Sequence, residues 1–499
     1  MLTWYRQAVT GVLLFCLLQG AGAYPQDKGT AAARLNSAGL ELMSQGRVKE
    51  AVERFRQALA SDPENVECLA NLGVALLRED APAEAVEVLQ KAAQRQPTDP
   101  RLLSDLAAAL SAAGRPHEAV AQMRKASALS PQDPAIHRNL GIMLADAGEN
   151  ETAEKELADA VSLNPADVEA HRALARVLIR ERHDEQAIAQ YRAALRHAPR
   201  EPSLHFELGR LYQTERKFPE AETELRTATK LREGDAGYHA ALGSLALQTG
   251  ELHAAEAELR RAVALSPNLG EAHRDLGAVL RRSGRLDEAI TELRRAAELL
   301  PDDRETHFML AQALEKTGKT DEAAQETRAF QQGSQKSADK KVGNSYAAEA
   351  EKLLKAGHTD EAIAKLQQAL QLDPENTYAS YNYGLALLFQ NKPHEAIPHF
   401  QVALRSRPDN PEMLYFLARA YLADDRAEDA AAGLRKLIAM RPNDPYLHNG
   451  LGVALAKLRD WSNATAEFKA AQRLNPGNAV FESNQKCIEN HLQNCALTP

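Results

Sequence analysis

From about residue 32 onward, apolar and polar positions follow a helical period that breaks at short, regular intervals. GRVKEAVERFRQALASDPEN, residues 46 to 65, predicts an amphipathic helix followed by a stop. Nearly the same twenty residues return as GRLDEAITELRRAAELLPDD from 284 and as GHTDEAIAKLQQALQLDPEN from 357. Two apolar positions four apart, Leu140 and Leu144 for example, build one face of a second helix that precedes each copy.

The spacing of the copies is 34 residues. Prolines fall on that step at Pro63, Pro97, Pro131, Pro165 and Pro199, then at Pro267 and Pro301, and again from Pro374 to Pro476. Alanines keep it more strictly, from Ala51 through Ala323 and, after a step of 39, from Ala362 to Ala464. Small residues recur in a third series that includes Gly39, Gly73, Ala107, Gly141 and Gly384. Numbered from the first residue of each unit, repeats begin at 32, 66, 100, 134, 168, 202, 236, 270, 304, 343, 377, 411 and 445.

Each recurring residue has a physical task. Positions 8, 20 and 27 must be small for helices A and B to approach closely. Glycine at position 15 (Gly46, Gly114, Gly148, Gly250, Gly284) ends helix A in a left-handed turn. Proline at position 32 stops helix B, and Asp or Asn at position 34 caps the next helix, as at Asn65, Asp99, Asp133, Asp167, Asp303 and Asn410. One unit cannot bury its own face, so the units must stack.

These motifs, NLGVALL from 71 and GLGVALA from 450 in helix A with EAVERFRQALASDP from 50 in helix B, resemble the tetratricopeptide repeat, TPR. The resemblance covers thirteen units. It implies an all-α, right-handed superhelical solenoid whose concave wall is lined by helix A at unit positions 2, 5, 9, 12 and 13.

Composition changes little in that picture. Aromatics are only 5% of the chain, thin for a large β-rich core, and a net charge of -9 gives no basic field for nucleic acid or an anionic membrane. The first 23 residues differ: Arg6, the apolar run VLLFCLL and the exit Ala21-Gly22-Ala23 read as a cleaved export signal. The run is short for a membrane anchor, and no later stretch could span a bilayer. The mature protein is expected to be exported, periplasmic or secreted. Cys68 reads as a small buried hydrophobe; Cys487 and Cys495 are too far apart on a continuous helix, and pair only if the chain turns between them.

The expected organisation is signal 1–23, leader 24–31, nine repeats over 32–337, an insertion at 338–342, four repeats over 343–478 and a capping helix with tail over 479–499. The polar stretch QQGSQKSADKKVG, 331 to 343, reads as a hinge or loop, with an extended helix as the alternative. The repeats leave no stretch of this chain for a catalytic domain, and no nucleophile–base set, phosphate loop or cofactor motif is evident. HEAIPH from 394 lacks the i, i+4 histidines of a zinc helix.

Two strips of the wall are candidate sites. Tyr378, Tyr381, Leu385, Leu388 and Phe389 are apolar at all five wall positions of the eleventh repeat; Tyr415 and Leu422, then Tyr446 and Val453, extend the strip. Such a groove would hold a peptide or helix, unless the capping helix covers it. Arg172, Arg176 and Arg180, flanked by Arg138 and Arg210, form a basic strip. It suits an anionic ligand, although Asp146, Glu169 and Glu207 would pair it internally. A ladder of histidines at position 4, His137, His171, His205, His239, His273 and His307 with His448 later, invites a metal, but stacked helices 8 to 10 Å apart hold the rings too far apart to share one. The expectation is a non-enzymatic scaffold for segments of partner proteins; the alternative is an accessory subunit that grips a polysaccharide in the same groove.

Overall fold

The computed structural model describes residues 31–489, which form twenty-six helices and, among those residues, no strand. The export signal, the leader up to residue 30 and the tail from residue 490 lie outside the described residues. Each repeat is an A helix followed by a B helix. The second, for instance, is Val66–Arg78 then Pro82–Arg95, and the twelfth Pro411–Ala423 then Ala427–Met440. Outside the long helix Thr320–Lys355, each A helix packs on its own B helix, each B helix on the next A helix, and most neighbouring A helices touch.

The 34-residue signals act as the pattern requires. Of the thirteen alanines at position 20, twelve have no exposure, and Ala323 has 7%. The Asp and Asn residues at position 34 accept backbone N–H bonds from the next helix. Asp133 takes those of Ala135 and Ile136, Asp167 those of Glu169 and Ala170, and Asn410 that of Met413. Position 15 is left-handed in every repeat. Gly46, Gly114, Gly148, Gly250, Gly284, Gly318 and Gly357 adopt it without strain, and Asp80, Arg182, Arg216, Asn391, Asp425 and Arg459 are forced into it.

The chain divides into two compact units, one up to Phe330 and one from Gln331. The hinge or loop expected near 338–342 is corrected in one respect: the backbone there is helical, inside a single element, Thr320–Lys355. That stretch holds no proline, and its Ala, Lys, Gln and Glu residues favour helix over the cost of Gly333 and Gly343. At position 27, where alanine is usual, Phe330 packs against Phe308 with ring centroids 5.2 Å apart.

The capping helix forms as Ala479–Glu489, with Phe481 fully covered and Ile488 joined to the core of the last repeats. Cys68 is a free, buried thiol that burial pushes up to about 11, so it stays protonated and inert. Cys487 is disulfide-bonded.

Candidate functional site

The aromatic strip lies on the A helices of the second unit. Tyr378, Phe389 and Tyr446 are its open members, with 42, 70 and 56% of their surface exposed. The other residues are more engaged. Tyr381, Leu385, Leu388 and Tyr415 are half-buried and join the apolar clusters of the eleventh to thirteenth repeats. The Tyr381 ring stands 6.1 Å from those of Phe400 and Phe416, and Tyr415 meets Phe416 edge-on at 5.4 Å. Two further wall assignments are corrected. Leu422 and Val453 are buried, because the final repeats and the capping helix close over them.

Carboxylates edge this strip. The Tyr381 hydroxyl donates to Glu412 at 2.8 Å and the Tyr378 hydroxyl donates to Glu351. Burial and the Glu412 hydrogen bond push the Tyr381 hydroxyl well above its ordinary 10, so it stays a donor at any physiological pH. Tyr446 packs edge-on to Phe481 of the capping helix at 5.5 Å, so that helix borders the strip without covering Tyr446. Tyr383 and Tyr421, at unit positions 7 and 11 of their A helices, are half-buried, and their hydroxyls accept from Gln367 and Gln401.

The arginine strip in the first unit is internally paired. Arg172 and Arg176 both donate to Glu207, Arg138 donates to Asp167 at 2.7 Å, and Arg180 donates to the Ala145 carbonyl at 2.7 Å. That last bond adds a side-chain donor to a carbonyl in the last turn of the preceding A helix, which also accepts from the Gly148 N–H at 3.2 Å. Arg210 is exposed and donates to Gln213. Asp146 is crowded enough for burial to push it up to about 6, against the pull of Arg180 and Arg176. Its side chain still meets solvent, and water screens its charge.

The histidines at position 4 hold helices together through both ring nitrogens. His137 Nδ1 lies 2.7 Å from Glu156 and its Nε2 3.0 Å from the Pro131 carbonyl. The same pair of contacts recurs in the sixth to ninth and thirteenth repeats, with Gln190 in place of the glutamate in the fifth, and the partner at position 23 was missed in the sequence. The signal was there, as a Glu nineteen residues after almost every ladder histidine. His137, Glu156 and Asp159 form, among the described residues, a group whose ligand atoms lie within 4.8 Å of one another. Both nitrogens of that ring already carry hydrogen bonds, which leaves none for a metal.

Comparison with known proteins gives three matches to models of the tetratricopeptide repeat. They cover residues 36–100, 206–269 and 348–411; 76–140, 110–177 and 387–458; and 168–211 and 270–313. Together they run over 36–313 and 348–458. A search of the curated proteins returned no match. Among solved structures, the chain is similar to YrrB, described as a TPR protein with an unusual peptide-binding site. Identity there is 20% over 37% of this chain and 95% of that one, with a TM-score of 0.33. It is similar to the Cut9–Hcn1 hetero-tetramer of the APC/C at 12% identity, over 92% of this chain and 96% of that one, TM-score 0.36. A tetratricopeptide repeat protein from Parabacteroides merdae matches at 17% identity, over 50% of this chain and all of that one, TM-score 0.41.

Proposed function

We propose that this chain, which belongs to the tetratricopeptide repeat family, is a non-enzymatic scaffold that holds segments of partner proteins on the aromatic strip of its last repeats. The observation that carries this reading is the exposure of Tyr378, Phe389 and Tyr446 on A helices. Large apolar rings left in water are what a bound peptide or helix would cover, at low entropic cost for the protein. The arginine strip is the weaker candidate, because four of its five guanidinium groups are already spent on carboxylates or a carbonyl.

An exported location, in the periplasm or outside the cell, is part of the same proposal. It rests on the apolar segment at residues 12–18 and is supported by the disulfide at Cys487, a bond that persists in oxidising compartments.

The test is affinity capture from envelope extract with the wild-type protein and a Tyr378→Ser/Phe389→Ser/Tyr446→Ser variant of unchanged circular dichroism. A protein retained by the first and lost by the second supports the reading. Retention by both would displace the site from this strip. If neither retains a protein, the scaffold reading fails, and binding of oligosaccharides to the tyrosine faces becomes the question.

A further inference from the structure

In seven repeats the residue at position 4 is histidine, and both of its ring nitrogens face acceptors. Nε2 lies 2.9 to 3.1 Å from a backbone carbonyl at the end of the preceding repeat, that of Pro131, Pro165, Pro199, Glu233, Pro267, Pro301 or Pro442. In six of the seven, Nδ1 lies 2.6 or 2.7 Å from a glutamate on the B helix of the same repeat: Glu156, Glu224, Glu258, Glu292, Glu326 or Glu467.

The proton count follows from the partners. A carbonyl only accepts, so Nε2 carries a hydrogen in every case. An ionised carboxylate also only accepts, so the second contact requires a second proton, on the ring or on the carboxyl. The fifth repeat is the exception. His171 Nδ1 meets the side-chain amide of Gln190 at 2.7 Å, and an amide turned to present its NH₂ satisfies a ring holding one proton.

We propose that the ladder is a set of proton-operated clamps. With the second proton, each of the six rings that face a glutamate ties its A helix both to its own B helix and to the end of the preceding repeat; without it, the tie to the B helix is lost and the A helix is held by the carbonyl bond alone. Other acidic groups reinforce the pattern. Asp159 on the B helix faces His137, Glu201 in the loop before the helix acts on His205, and Asp303 in the equivalent loop acts on His307. Burial would lower the rings of His137 and His307, but the bonds to Glu156 and Glu326 and to the carbonyls outweigh it. For His205 the Glu224 bond is itself the largest influence, and all three rings are held above the ordinary 6.5. The contribution of such groups is fully present below pH 6.5 and is lost as pH rises through the raised values. The fourth, sixth and ninth repeats are therefore held tightest in mildly acidic solution.

Amide hydrogen exchange of the full chain at pH 6 and pH 8, corrected for the intrinsic pH dependence of exchange, reads this directly. Protection at the A-helix starts of the fourth, sixth and ninth repeats, whose rings are held above the ordinary value, is expected to fall severalfold from pH 6 to pH 8. The fifth repeat is expected to change less. A Glu224→Gln/Glu258→Gln/Glu292→Gln/Glu326→Gln variant should abolish the difference in the sixth and ninth repeats, and a charge-matched control at the exposed Glu53, Glu87, Glu271 and Glu305 should keep it. A ladder variant with the wild-type difference, or a fifth repeat that loosens as much as its neighbours, overturns the proposal. If the ladder variant does not fold, NMR titration of the wild-type rings decides. Values above 6.5 for His137, His205 and His307 support the clamps, and values at or below 6.5 overturn them.

Discussion

The hydroxyl of Tyr191 donates to Glu207 at 3.0 Å, from the B helix of the fifth repeat to the A helix of the sixth. Arg172 and Arg176 converge on the same carboxylate, so one acidic side chain serves three donors across a joint between repeats. Glu207→Gln keeps the shape but leaves two guanidinium groups without their counter-charge. The expected cost is about 3 kcal/mol in urea unfolding, the range for breaking one side of a buried pair. A loss below roughly 0.5 kcal/mol would mean that solvent already serves these arginines.

The same carboxylate sets an acid limb. Burial alone would raise Glu207, but Arg176 and Arg172 outweigh it and hold the group below its ordinary 4.5. A depressed carboxylate contributes stability above its unfolded value and loses it as pH falls through the folded one. The wild type should therefore lose stability as pH drops below 4.5, and Glu207→Gln should lose less over the same window. Parallel melting curves for the two proteins would remove Glu207 from the account of acid unfolding.

The architecture was legible in the sequence because each repeat states it again. Ala51 and its twelve counterparts, the caps and the position-15 turns all mark places where only one or two residue types fit. What was not legible needed partners distant in sequence. His137 could be numbered but not paired, since nothing local joins it to Glu156. Leu422 and Val453 read as wall residues because unit position alone does not say how deeply the next repeat or the cap covers them. The stretch around 338–342 misled for a different reason: polarity marks solvent exposure, and an exposed helix is as polar as a loop.

The forced left-handed turns are open to improvement. Arg216 has φ 57° and an exposed side chain, while glycine holds the same turn in seven other repeats. Arg216→Gly should stabilise the first unit by about 1 kcal/mol by removing the crowding of a side chain in that conformation. Differential scanning calorimetry would register the gain as a higher melting temperature. A decrease would show that the greater chain entropy of glycine when unfolded outweighs the relief.

Close approach at position 8 makes a coupled prediction. A Cβ on Gly452 would lie 2.7 Å from the ring of Phe468, which is fully buried. Gly452→Ala is expected to cost about 1–3 kcal/mol through overpacking. The tenth and twelfth repeats already combine alanine at this position with leucine opposite, Ala350 with Leu366 and Ala418 with Leu434. Phe468→Leu should therefore recover much of the loss when added to Gly452→Ala. A double-mutant cycle measures this, and simple additivity of the two losses would contradict it.

The binding strip contains residues that differ in what they do for the fold, and that difference decides which substitutions report on binding. Phe389 has 70% of its surface in water, so Phe389→Ser should change stability by less than about 0.5 kcal/mol. Tyr381 is half-buried among Phe400 and Phe416 and bonded to Glu412, so Tyr381→Ala opens a void between the eleventh and twelfth repeats. Its expected cost is about 3 kcal/mol, and partner loss in that variant would mix unfolding with recognition. Chemical denaturation of the two variants separates the cases. If Phe389→Ser keeps its stability and loses the partner, the ring contacts the partner directly. Equal destabilisation by both substitutions would instead make Phe389 part of the packing, and recognition would have to be sought at Tyr378 and Tyr446.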